Sequence, residues 1–232
     1  MATDNRASIK TPLRTRLSGR SVKVIVGPEK QEWTIHEKLL HNASGFFMDP
    51  FTGPVKDASG VVHLHDDDPD AFALFVDWLY QSNLARPPVF RIEHAHGLSN
   101  YLALAVMAAK FRIAGLENDA IAAIFIYLKE NNNSNHPAVK LEFADVRFVF
   151  DHTDQDSGLR RLVCHYILAH FFEGNFRAPG AEQAWRYRLR DDQEIAAELF
   201  NLQFAKFSSN CGTLFPFKMD ELSVYQVITF DD

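Results

Sequence analysis

SVKVIVGPEKQEWTIHEKLLHNASGFF, residues 21–47, changes its hydrophobic period halfway along. Val22, Val24 and Val26 alternate with Lys23 and Ile25, the period of two expected of a strand with a buried face. Gly27-Pro28 punctuates that run, and Glu32-Trp33-Thr34-Ile35 resumes it with an aromatic and β-branched residues. Beyond Ile35 the period lengthens, with Leu39 and Leu40 three and four residues after His36. Ser44 carries a hydroxyl able to cap a second short helix holding Phe46, Phe47 and Met48. The stretch therefore reads as a strand pair running into a helix pair.

Asp49 to Gly60 reads as a loop, broken by Pro50, Gly53, Pro54 and Gly60, and Val61-Val62-His63-Leu64-His65 as a strand. Asp66-Asp67-Asp68-Pro69 starts a helix, with Asp68 as N-cap, Pro69 at the first helical position and acids at the positive end of the dipole. Phe72, Phe75, Val76 and Leu79 give that helix one buried face. Pro87-Pro88 marks a link, and Glu93 to Phe111 then reads as a helix. Leu102, Val106, Ala109 and Ile113 form one stripe, with Tyr101, Leu104, Ala105 and Ala108 apolar beside it. Gly115 is expected to end it, before a helix carrying Leu116, Ala120, Ile121, Ile124, Phe125 and Leu128.

Asn131-Asn132-Asn133-Ser134-Asn135-His136-Pro137 reads as a linker. Beyond it Val139 to Phe150 and Leu159 to Phe172 read as helices, the second through Leu159, Leu162, Val163, Tyr166, Ile167 and His170. Residues 173–190 are rich in Arg and broken by Gly174, Pro179 and Gly180, whereas Glu194 to Phe207 is amphipathic through Ile195, Leu199 and Leu202. The last 20 residues carry no readable pattern. At the other end, residues 1–20 set Arg6, Lys10, Arg14, Arg16 and Arg20 against Asp4 and read as a solvated basic arm.

Over 232 residues, a 47% hydrophobic content suffices for one substantial core or a domain with a helical extension. The 20 Phe residues argue for well-packed faces rather than disorder. A net charge of −6 speaks against electrostatic attraction to nucleic acid. Cys164 and Cys211 lack metal spacing; they could pair, but a reduced intracellular protein is the simpler reading. There is no run of about 18 apolar residues and no apolar leader core, so a soluble cytoplasmic or nuclear protein is expected.

These landmarks together resemble a BTB/POZ domain. His36, Leu39, Leu40, Ser44, Phe46 and Phe47 are spaced like its opening, His-x-x-Leu-Leu-x-x-x-Ser-x-Phe-Phe. Asp68, Phe72, Phe75, Trp78, Leu79 and Tyr80 are similar to its middle, and Tyr101, Leu104, Ala105, Lys110, Phe111, Leu116 and Asn118 to its closing helical hairpin. The resemblance runs from roughly Gly19 to Leu128. Farther on, Phe143, Val146 and Asp156-x-x-Leu159-Arg160-Arg161-Leu162 resemble the helical tail of single-BTB proteins common in filamentous fungi, a tail with no activity to carry over.

The resemblance implies an α+β fold: a BTB/POZ core, with a small three-stranded sheet packed by helices, then an all-helical C-terminal region. The expected division is a flexible basic arm over 1–18, the core over 19–130, the linker over 131–137 and the helical region over 138–232. Such domains bind proteins rather than turn over substrates. The implied function is protein–protein interaction, through a homodimer and partner recruitment. The alternative is a substrate adaptor of a cullin-3-type ubiquitin ligase. Ile9, Leu13, Leu39, Leu40, Phe46, Phe47, Met48 and Phe51 are the first candidates for contact between chains. Ser21 stands where the family often has Asp, and Met48-Asp49-Pro50-Phe51-Thr52-Gly53-Pro54 lacks the hydrophobic-x-Glu motif frequent in cullin-binding members. The family's Asp helps form the dimer or ligand groove in some members, so Ser21 implies a different groove chemistry. The missing Glu weakens the cullin-adaptor reading and favours a plain dimerisation or scaffold module.

Other chemistry finds little to rest on. His63 and His65 before Asp66-Asp67-Asp68 invite a metal reading, since His-x-His places two imidazoles on one strand face, but a third ligand at defined spacing is missing. His36 has no nucleophile motif beside it, and the chain lacks a phosphate-binding glycine loop and a Gly-x-Ser-x-Gly elbow. Basic residues do not interleave with aromatics along one face. No catalytic residue, cofactor or metal is expected, with a metal-dependent enzyme as the formal alternative.

Overall fold

A computed structural model describes residues 17–48, 55–56, 60–82, 92, 95–130, 141–173, 181–209 and 222–227. Residues 1–16 of the expected arm over 1–18, the Pro87-Pro88 link and the linker over 131–137 lie outside them. The chain is α+β with helices predominating. It divides into two compact units: residues 1–89 with 110–113, and residues 90–109 with 114–232. The sequence reading instead put the boundary at 131–137. The difference has a physical basis, because the helix over 114–130 contacts the helix over 158–173.

In the first unit, β1 (Ser21–Val26) and β2 (Gln31–His36) form an antiparallel hairpin with Ser21 opposite His36 and Val26 opposite Gln31. The connecting turn has left-handed backbone at Gly27 (φ 72°) and Lys30 (φ 57°). At Gly27 the requirement is double, since a Cβ there would also lie 2.7 Å from Cγ of Pro69. β3 (Val55–Lys56) pairs antiparallel with β4 (Val62–Leu64), which runs parallel to β1, so the strand order is β2-β1-β4-β3. The sheet therefore has a fourth strand where the sequence reads as a loop; its two residues are too short a run to display a period.

After β2 come α1 (Glu37–Ala43), a 3₁₀ turn (Gly45–Phe47) and, beyond β4, α2 (Pro69–Ser82). Ser44 caps the 3₁₀ turn as its sequence position suggests: its hydroxyl accepts from the Phe46 N–H at 3.0 Å and donates to the Phe111 carbonyl. Asp68 caps α2, its carboxylate accepting from the Ala71 N–H at 2.8 Å. Phe46, Phe47, Phe72, Phe75 and Phe111 form a continuous ring cluster with centroid separations of 5.0–6.1 Å. Each such buried side chain contributes about 1.5–3 kcal/mol of transfer free energy, which makes this cluster a large part of the unit's core.

The second unit contains α3 (Ala95–Lys110, to residue 109), α4 (Ala114–Glu130), α5 (Phe143–His152), α6 (Gly158–Glu173), α7 (Ala181–Asp191) and α8 (Gln193–Ser209). Gly115 does not end α3. The helix stops at Lys110, Arg112 takes the left-handed position (φ 57°), and Gly115 lies inside α4. Nor do Ala109 and Ile113 extend a stripe of α3, since Ala109 is exposed and Ile113 lies beyond its end. α7 corrects the reading of 173–190 as broken: Gly174, Pro179 and Gly180 all precede it, and Trp185, packed edge-on to Phe143 at 5.5 Å, is buried among exposed arginines. α6 is the hub, contacting α4, α5 and α8, and Leu162 through Ala169 are all buried. A helix apolar on every side is expected at such a centre.

Candidate functional site

The register of the β1–β2 hairpin carries one step past the strands, the Glu37 N–H donating to the Arg20 carbonyl at 3.2 Å. That step brings Arg20 and Glu37 together, and Nη2 of Arg20 donates to Oε1 of Glu37 at 2.8 Å. One helical turn on, His41 Nε2 lies 4.0 Å from the same carboxylate. The hydrogen bond that Arg20 donates to Glu37 raises its guanidinium above its ordinary pKa. As the Arg20 side chain is 81% exposed, the pair adds little to stability.

Beside this pair lies a cleft of about 330 Å³, lined by Arg20, Ser21, Val22, Lys23, Glu37, Leu40, His41, Phe47 and Gly60 to Val62. Its position follows from the unequal ladders of β1. All six residues of β1 pair with β2, but among the described strands β4 takes only Val24–Val26, and Ser21–Lys23 line the cleft. Leu40, Phe47 and Val62 form an apolar floor. The rim carries both signs of charge: Arg20, Lys23 (2.7 Å from Glu32) and Glu37.

Of the eight side chains expected at a contact between chains, Leu39, Leu40, Phe46 and Phe47 are 0–7% exposed and are consumed by the chain's own core. Leu39 and Phe46 leave a second copy almost no surface to cover, and Leu40 and Phe47 reach the cleft only at its floor. Met48 is 55% exposed, and Ile9, Leu13 and Phe51 lie outside the described residues. Sequence reasoning missed Arg20, Lys23, Glu37 and His41; the available signals were the register that sets position 20 opposite 37 and the four-residue spacing of Glu37 and His41.

The histidines fall elsewhere. His36 ends β2, and its Nδ1 shares a hydrogen bond of 2.9 Å with the Tyr80 hydroxyl, fixing the strand-to-helix junction. The rings of His63 and His65 stack at 5.2 Å, Asp67 pairs with Lys110 at 2.7 Å and Asp68 caps α2. Among the described residues no group of three or more His, Cys, Asp or Glu side chains could hold a metal ion, and no helix is long and apolar enough to cross a membrane. Cys164 is buried within α6; burial, reinforced by Glu198, pushes its thiol well above the ordinary range, and Cys211 lies outside the described residues. No protein-family model, curated protein or solved structure matches the chain.

Proposed function

We propose that the chain is a protein–protein interaction module of BTB/POZ type that self-associates through the cleft beside β1. The observation that carries this reading is the cleft at Ser21–Lys23, which no described strand pairs with on the β4 side, over an apolar floor with both signs of charge on one rim. A strand edge offers a partner main-chain hydrogen bonds, above a floor already buried in the chain's own core. A rim bearing both signs suits a second copy of the same surface, because a two-fold contact brings each residue's counterpart to the opposite side. The stretch from β2 through the Ser44-capped turn and the Asp68-capped helix carry the opening and middle residues of the family resemblance.

Light scattering on the full chain tests this at micromolar concentration. The expected mass is that of a dimer, with the Arg20→Glu/Lys23→Glu variant shifted towards monomer. Those side chains lie on the surface, where each pair is worth about 0–1 kcal/mol, so the fold survives while like charges across the contact oppose association. A monomeric wild type, or a dimer indifferent to the reversal, contradicts the proposal. Adding the N-terminal half of cullin-3 gives the second arm: a larger complex supports the ubiquitin-adaptor alternative, and an unchanged mass leaves an assembly module.

A further inference from the structure

Leu222–Val227 lies on the helical unit as a surface strap held by one side chain. Tyr225 is 0% exposed, while Ser223, Val224 and Val227 face solvent. The Tyr225 hydroxyl shares a hydrogen bond of 2.9 Å with Nδ1 of the buried His165, and its ring lies 6.0 Å from Phe125. Arg161 Nη1 donates to the Val224 carbonyl at 3.0 Å. The Asn118 carboxamide takes both main-chain groups of Val227, Nδ2 donating to its carbonyl at 3.0 Å and Oδ1 accepting from its N–H at 2.6 Å. The Tyr225 carbonyl rests on Gly158, where a Cβ would come within 1.8 Å of that oxygen.

α4 and α6 thus form a socket with the parts of a linear-peptide reader. One deep pocket selects an aromatic ring, a histidine at its base reads the hydroxyl, and a carboxamide pairs with main chain as a neighbouring strand would, whatever side chain stands there. We propose that this socket is a peptide-binding site for an extended segment carrying a Tyr anchor, occupied in the resting chain by its own Leu222–Val227. The partner it fits is a protein presenting such a segment, which enters by displacing the strap. The strap has the form of a ligand rather than of core packing, since a single side chain is buried and the backbone is held by exposed groups.

A tethered occupant competes at a high effective concentration, so the wild-type chain binds a free peptide weakly and removal of the anchor opens the site. The test is a fluorescence-anisotropy titration of the full chain with a labelled peptide of residues 219–229. Tyr225→Ala is expected to bind the peptide at least about tenfold more tightly than wild type. Phe in place of Tyr in the peptide, or Asn118→Ala added to the Tyr225→Ala chain, is expected to reverse the gain. A Tyr225→Ala chain that keeps its helical circular dichroism yet takes up no more peptide than wild type overturns the proposal. So does one that loses its helices, because Tyr225 would then be a core residue.

Discussion

Replacing Arg160 by Met removes a heavily committed side chain of the helical unit. The Arg160 side chain is only 3% exposed, and its Nε donates to Glu198 at 2.8 Å. Nη1 donates to the carbonyls of Thr153 at 3.2 Å and Phe150 at 3.4 Å, Nη2 donates to Glu194 at 2.9 Å, and the guanidinium lies 3.9 Å from the centroid of the Phe150 ring. The side chain therefore ties α6 to the end of α5 and the start of α8. The Glu194 arm contributes little, since that carboxylate is 48% exposed. The Glu198 arm matters more, because its side chain is 18% exposed and would be left as a charge beside Cys164. Breaking one partner of a buried pair costs about 3–5 kcal/mol, with the two orphaned carbonyls included in that range. For a chain of this size the loss corresponds to a melting shift of about 6–20 °C, read by thermal circular dichroism at neutral pH. Arg160→Lys, a point charge without the planar fork, should fall between Met and wild type. Arg160→Met combined with Glu198→Leu should recover much of the loss, since no charge is then stranded. An Arg160→Met chain melting with wild type, or a double variant no better than the single, would refute the reasoning.

Acid should loosen the same unit. Glu194 is held below its ordinary pKa by hydrogen bonds from Arg160 and then Arg147, and Asp151 by its hydrogen bond with Arg147. A depressed folded pKa stabilises above the ordinary carboxylate value of about 4 and loses that contribution as pH falls through the folded value. Burial raises Glu117, which acts in the opposite sense by favouring the folded state once protonated. Both carboxylates are about half exposed. Thermal circular dichroism should therefore show only a small fall in melting temperature below about pH 4, with a smaller pH dependence in Glu194→Gln/Asp151→Asn; an identical pH dependence in the variant would contradict this. In the sheet unit, Gly27→Ala forces a left-handed backbone onto Ala and sets a Cβ against Pro69, so a loss of at least about 1–2 kcal/mol is expected from a urea titration, and a neutral result would show that the turn relaxes.

The parts legible in the sequence are those in which a local rule and the tertiary fold agree. The change of period after Ile35 marks the junction of β2 and α1, and Ser44 and Asp68 cap the elements their positions suggest. α7 was hidden because Trp185 is the one buried side chain among those described in it, too few to show a period. The end of α3 was misplaced because a non-glycine residue, Arg112, takes the left-handed position. The strap is held by Tyr225 alone and gives no repeating pattern. For Leu39, Leu40, Phe46 and Phe47, sequence could not separate a core from an interface, since both require apolar side chains. The cleft's charges are distant in sequence, and only the hairpin register brings Arg20 to Glu37.

Hydrogen exchange of the full chain, followed over a dilution series that spans the association, tests the central claim most directly. The account predicts that exchange slows with rising protein concentration in peptides covering Arg20–Lys23, Glu37–His41 and Gly60–Val62, the segments that line the cleft, and stays constant in α5 to α8. Exchange in the cleft segments that is independent of concentration, or slowing confined to the helical unit, would contradict it.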